Sequence, residues 1–171
     1  MQVLQTQRLN LRWLNDDDAE FILDLLNQAS WLEFIGDRGV RNLDDALAYI
    51  HNGPLAMIQQ HGFGLYLVET KSNQLRIGLC GLLKRDTLED VDIGFALHPD
   101  SWGKGYAKEA AQACLNFAGD TLVLQRVVAI TLPSNTACIT LLNAIGMHYE
   151  KNICLGESEE ILQLFSNSPS S

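Results

Sequence analysis

The four cysteines of this 171-residue chain, Cys80, Cys114, Cys138 and Cys154, include no CxxC pair. Each sits in an apolar stretch where a small thiol packs well, so neither a disulfide framework nor a bound metal is expected. Basic residues are scarce as well: 12 Lys and Arg stand against 21 Asp and Glu, a net charge of −9. That deficit disfavours nucleic-acid partners and favours cationic ones, such as an amine. Long apolar runs are missing. The apolar stretches are interrupted every few residues, short of the roughly 20 that a membrane span requires. The opening "MQVLQTQRLNLRW" has no signal-peptide apolar core. No membrane contact and a cytoplasmic location are expected. Neither an internal repeat nor a linker divides the chain.

What is present is a chain that is 47% hydrophobic, enough for one core. The expectation is a single domain over 1–166 and a disordered tail over 167–171. "RLNLRWL" alternates at period two and reads as a strand; "NDDDAEFILDLLNQA" follows as a helix, with Asn15 or Asp16 as its cap. "NLDDALAYIHNG" reads as a second helix, capped by Asn42 and stopped at Gly53-Pro54. "GFGLYLVET", "QLRIGLCGLLKR" and "EDVDIGFALHP" are extended and separated by turn residues, which predicts an antiparallel meander. Then come a helix over 105–119, the strand "RVVAITL", the helix "NTACITLLNAIG" capped by Asn135, and strands near "MHYEKNICL" and "EEILQLFS".

The run "HPDSWGKGYAKEAAQACLNFA", 98–118, holds the most chemistry. Ala107, Ala110, Ala111, Cys114 and Ala118 recur at helical spacing and give the helix a small face that can lie close on a sheet. Gly103 and Gly105 let the backbone enter that helix with its free N–H groups unobstructed, and those donors and the positive helix end suit a phosphate. Lys104 and Lys108 add local positive charge. A glycine turn alone also serves simply to turn the chain. Two nucleotide motifs are excluded: "GKGYAKEA" is no GxxxxGK[ST] loop, and Lys108 occupies the third glycine position of GxGxxG.

"TQRLNLRWLNDDDAEFI", "IGLCGL", "DIGFALHPDSWGKGYAKEA" and "PSNTACITLLNAIGMHYE", in that order, resemble the GNAT acyl-CoA N-acyltransferases. Within them they are most similar to the branch of ribosomal-protein N-terminal acetyltransferases, the RimJ/RimL-like proteins. The resemblance implies an α/β (α+β) GNAT fold: a mixed, mostly antiparallel central sheet of about six to seven strands, splayed at the acyl-CoA site and flanked by helices. It implies acetyl-CoA as co-substrate, no metal, a primary amine as acceptor, and a monomer or homodimer.

Carried onto this chain, the family's Q/R-x-x-G-x-G/A motif falls on Trp102, Gly103, Lys104, Gly105, Tyr106 and Ala107, with Trp102 in place of Gln or Arg. The resemblance implies that the N–H groups from Gly103 to Lys108 receive the coenzyme A pyrophosphate, and that backbone groups of Phe95, Ala96 and Leu97 pair with pantetheine as an added strand. It implies that Asn135 hydrogen-bonds the pantetheine arm and that a backbone N–H among Phe95 to Leu97 stabilises the oxyanion. The tyrosine that protonates the leaving thiolate in many relatives is replaced by Leu142. A serine often takes that role in this branch, and Cys138 stands in its place; its alternative reading is a core thiol. Asp92 is the candidate base, with Glu33, His61 and His98 as further candidates. Trp31, Phe34, Tyr49, Phe63 and Tyr66 are candidates to shape the acceptor side or to fill the core.

An α-amine with pKa near 8 is roughly a tenth free at neutral pH, and a lysine amine is free to less than about 0.1%. A site without a strong base therefore suits a protein or peptide N-terminus. The alternatives are a small amine such as a polyamine or antibiotic, and a non-catalytic acyl-CoA-binding sensor.

Overall fold

The computed structural model describes residues 2–168. Eight strands form one sheet: β1 (Gln2–Gln5), β2 (Leu9–Arg12), β3 (Leu65–Thr70), β4 (Arg76–Leu83), β5 (Asp92–Leu97), β6 (Val128–Thr131), β7 (His148–Ile153) and β8 (Leu162–Ser166). They lie in the order β1-β2-β3-β4-β5-β6-β8-β7. The mixed, mostly antiparallel sheet flanked by helices is as expected, with a strand more than the six to seven read from sequence. The extra one, β1, is a four-residue edge strand paired irregularly with β2, and it precedes the alternating stretch that signalled a strand. All pairings are antiparallel except β5 with β6, which is parallel and is limited to Asp92 opposite Val128.

Six helices cover the faces: α1 (Ala19–Leu26), α2 (Ala29–Phe34), α3 (Leu43–Ile50), α4 (Ala56–His61), α5 (Tyr106–Asp120) and α6 (Thr136–Ala144). Asn15 and Asp18 form a reciprocal capping box on the short 3-10 turn that leads into α1. The small face of α5, with Ala110, Ala111, Cys114 and Ala118 fully buried, lies on the side of the sheet that carries Tyr66, Cys80, Leu82 and Ile93. On the opposite face α1, α2 and α3 bury Ile22, Trp31 and Ile50 against Leu67 and Leu79.

Gly53-Pro54 does not stop the second helix. The chain widens into a π-helical turn over His51–Leu55 and continues as α4, ending at Gly62 with φ +83°. The wider turn accommodates a residue with no N–H to donate, and left-handed glycine is the true terminator. The expected tail begins with an anchored residue: Asn167 N–H donates to the Val127 carbonyl (3.2 Å), and Val127 N–H donates to Asn167 Oδ1 (2.9 Å). Residues 169–171 lie outside the described residues. No helix among the described residues is long and apolar enough to cross a membrane.

Candidate active site

The site begins where two strands part. At the β6-side edge of β5, Val128 N–H donates to the Val91 carbonyl at 2.9 Å, and beyond Asp92 the strands diverge towards their C-terminal ends. On the β4 side, His98 N–H donates to the Ile77 carbonyl at 2.8 Å. Backbone groups alternate edges along a strand, so Phe95 and Leu97 direct their N–H and C=O into the gap, whereas those of Ala96 face β4. A Cβ built on Gly78 of β4 would stand only 2.3 Å from the Ala96 oxygen, which confirms that direction. The expectation that Phe95, Ala96 and Leu97 would all offer backbone groups is thereby corrected: Ala96 has spent its own on β4. Trp102 Nε1 donates to the Leu97 carbonyl at 2.9 Å, so the indole of the motif's first residue fixes the lip of the gap.

Below that lip the chain turns through Gly103 (φ +77°) and Gly105 (φ +80°) into α5. The first helical hydrogen bond runs from Glu109 N–H to the Gly105 carbonyl at 3.1 Å, so the donors of Tyr106, Ala107 and Lys108 precede the ladder. A Cβ at Gly103 would meet nothing within 4 Å, so the space over the turn is open. Trp102, Gly103, Lys104, Gly105 and Lys108 are all exposed, and Tyr106 and Ala107 are half-buried.

Sequence reasoning passed over Arg8. Its Nε donates to Glu109 Oε1 at 2.8 Å, its backbone N–H donates to Glu109 Oε2 at 3.0 Å, and its Nη1 donates to the Lys104 carbonyl at 2.9 Å. Its guanidinium lies 4.5 Å from the Tyr106 ring centroid. The Thr6 hydroxyl also donates to Glu109. Burial raises the Glu109 carboxyl pKa, but the Thr6 and Arg8 hydrogen bonds more than offset this and hold it below the usual range. The residues are about 100 positions apart in sequence, so spacing alone carries no signal of the contact.

Across the gap, β6 leads to α6. Asn135 caps that helix, its Oδ1 accepting from Cys138 N–H at 3.2 Å, which leaves its NH2 group for a ligand in the gap. The half-buried Cys138 thiol is pushed up by burial, with the Thr131 hydroxyl opposing, so it stays protonated at neutral pH. Leu142 is fully buried in the core.

Asp92 lies at the closed end of the gap, on the sheet face opposite α5, 1% exposed and accepting from Arg85 Nε at 3.0 Å. Burial pushes its carboxyl up, and the Arg85 charge and hydrogen bond only partly counter it. The other base candidates are placed less well. His98 Nε2 is 2.8 Å from Asp24, and its Nδ1 accepts from Asp100 N–H at 3.2 Å. His61 is exposed and stacks on Phe63, with centroids 5.8 Å apart, and Glu33 is exposed on α2. Phe63 and Tyr66 belong to the α5-side core, whereas Trp31 and Tyr49 pack on the opposite face and Phe34 is half-buried. Burial pushes the Tyr49 phenol up to about 12 against the influence of Arg38 and Arg85. A groove of about 900 Å³ lined by Trp13, Asn15, His51, Ile58 and Gly62 lies on the β2 side of the sheet, away from the gap. Among the described residues, no three His, Cys, Asp or Glu side chains group to hold a metal ion.

A parallel pair that opens beside a glycine turn, with strand-edge donors along one wall and helix-end donors below, forms a cleft suited to an extended ligand with an anionic end. Residues 8–148 match the acetyltransferase (GNAT) domain model, and the chain belongs to that family, the acetyl-CoA-dependent N-acetyltransferases. The chain is 29% identical over 153 residues to the uncharacterized N-acetyltransferase p20 of Bacillus licheniformis, covering 88% of this chain and 84% of that one. An acetyltransferase structure from Agrobacterium tumefaciens shares its fold with a TM-score of 0.82 at 24% identity, covering 97% of this chain and 94% of that chain. RimL, a ribosomal L7/L12 α-N-protein acetyltransferase solved with coenzyme A in disulfide linkage to one of its own cysteines, shares the fold with a TM-score of 0.80 at 15% identity, each chain covered to 97%.

Proposed function

We propose that the chain transfers an acetyl group from acetyl-CoA to the α-amine of a protein or peptide N-terminus, by direct attack inside the β5–β6 gap. The observation that carries this reading is the pair of outward-facing backbone sets at Phe95 and Leu97, standing above the turn at Gly103 and Gly105. Pantetheine adds along Phe95 and Leu97 as a strand, the Asn135 amide meets its arm, and N–H groups from Gly103 to Lys108 take the pyrophosphate. The amine nitrogen attacks the thioester carbon, and the oxyanion that forms is held by the Phe95 N–H, the donor deeper in the gap. Asp92, ionised and with a raised pKa, removes the amine proton; the C–S bond breaks, and the Cys138 thiol gives its proton to the departing thiolate. Cys138 is placed for this on the first turn of α6, with its backbone N–H bonded to the capping Asn135.

An N-terminal α-amine suits the buried, Arg85-paired carboxylate because it needs only a weak base. The test is release of the free coenzyme thiol from acetyl-CoA with a panel of N-terminal peptides, N-terminally blocked lysine peptides and polyamines. Preference for free N-terminal peptides is the expected result. Preference for polyamines would reassign the acceptor, and tight coenzyme binding without turnover on any amine would mark the chain as an acyl-CoA sensor.

A further inference from the structure

Arg8 reaches the glycine turn from a distant part of the chain, bonding the Lys104 carbonyl and covering the Tyr106 ring. It stands one residue ahead of β2, is braced by Glu109 through its Nε and its backbone N–H, and places Nη1 2.9 Å from the Lys104 carbonyl oxygen. The Lys104–Gly105 peptide unit is planar and trans, so its N–H points opposite to its C=O. With the carbonyl held on the guanidinium, the Gly105 N–H is directed away from Arg8. A peptide next to a left-handed glycine rotates readily, because glycine tolerates the dihedral changes that a flip demands. After such a flip the Lys104 carbonyl, the negative end of the peptide dipole, would replace the Gly105 N–H facing the anion.

We propose that Arg8 is a positioning residue for the acyl donor: by holding the Lys104 carbonyl it locks the Lys104–Gly105 peptide with its N–H towards the pyrophosphate, and Glu109 holds Arg8 in place for this. The inference rests on the reading of the turn as the pyrophosphate site. The arrangement needs a guanidinium. Two of its nitrogens serve two acceptors in one plane, Glu109 Oε1 and the Lys104 oxygen, while its face covers the Tyr106 ring. A lysine at position 8 has a single nitrogen and no such fork. Thr6, also bound to Glu109, closes the brace from the other side.

The discriminating measurement compares coenzyme A with pantetheine, which fills the strand-like part of the site and has no pyrophosphate. Calorimetric affinities of both are measured for the wild-type chain, Arg8→Gln, Arg8→Lys and Glu109→Gln, with thermal unfolding recorded alongside. Arg8→Gln is expected to weaken coenzyme A by about tenfold or more, the worth of a charge-assisted contact and a lost donor, and to leave pantetheine within about twofold. Arg8→Lys should resemble Arg8→Gln despite its retained charge, and it provides the same comparison if Arg8→Gln does not fold. Glu109→Gln should lie between it and the wild type. Coenzyme A affinity unchanged in folded Arg8→Gln and Arg8→Lys overturns the inference, and so does an equal loss for both ligands, which would mean only a general structural brace. A wild-type chain that binds pantetheine as tightly as coenzyme A sinks the pyrophosphate reading and the inference with it.

Discussion

Gly105 is constrained twice over. Its φ of +80° is a conformation that β-branched residues avoid, and a Cβ there would stand 3.3 Å from Arg8 Nη2. Gly105→Val should therefore raise the KM for acetyl-CoA by at least about tenfold while kcat falls less, because the turn binds ground and transition states alike; an unchanged KM in a folded variant would count against the turn as the phosphate site. Cys138 lends itself to a sharper comparison. Cys138→Ala should lower kcat by about 10–100-fold at saturating acetyl-CoA, and Cys138→Ser should retain most activity, since a hydroxyl also donates. Undiminished turnover in Cys138→Ala would return the residue to the core. Much of the candidate site's framework was legible: the glycine turn, the Asn135 cap and the strand around Phe95 are local patterns, each read from a few neighbours. Arg8 and Glu109 were not, since their meaning lies in a contact that only the folded chain makes. The error over Ala96 has a related cause, because strand-edge parity depends on register with β4, which no single strand encodes.

The elements themselves followed from periodicity where one face is buried. α5 is the clearest case: its small face predicted close packing on the sheet, and Ala110, Ala111 and Ala118 are fully buried there. Ala111→Leu should destabilise the chain by about 1–3 kcal/mol in urea unfolding, the usual cost of overpacking a tight helix–sheet contact; a neutral effect would mean that α5 sits farther from the sheet than the structure places it. The meander of β3, β4 and β5 was equally plain, since turn residues separate its strands. Two features escaped local reading. The short α2 carries too few residues for a periodic signal, and the continuation through Pro54 required a π-helical turn that propensity argues against.

At the scale of the whole molecule, Asp18 joins distant parts. Fully buried at the entry to α1, it accepts from Arg12 Nη1 (2.9 Å) and Nη2 (2.8 Å) on β2, from Arg76 Nε (2.7 Å) on β4, and from Asn15 N–H (2.8 Å). Burial raises its carboxyl pKa, and the hydrogen bonds and charge of these partners override that and leave it lowered. A depressed carboxylate stabilises the fold above its unfolded pKa of about 3.9, and that contribution is lost as pH falls through the lower folded value. Asp18→Asn should cost about 3 kcal/mol near pH 7, with the gap from wild type narrowing below about pH 4 in urea titrations; a gap independent of pH would deny the carboxylate this role. A second tie lies at the closed end of the gap, where Arg126 bonds Asp90 ahead of β5 (3.0 Å) and Glu150 of β7 (2.7 Å to each oxygen). Hydrogen bonds from Arg126 outweigh burial and hold the Glu150 carboxyl at about 2, so this clasp persists through any mildly acidic medium. Because β5 and β6 share only the pairing of Asp92 with Val128, the sheet is two panels of five and three strands joined at one corner. A donor molecule bound as proposed would supply the absent rungs, and the substrate would then become a cohesive part of the fold. At a hundredfold excess over its Kd, coenzyme A should raise the melting temperature by roughly 5–10 °C. With acetyl-CoA, which also brings the carbonyl oxygen proposed to meet the Phe95 N–H, amide exchange should slow most at Phe95 and Leu97.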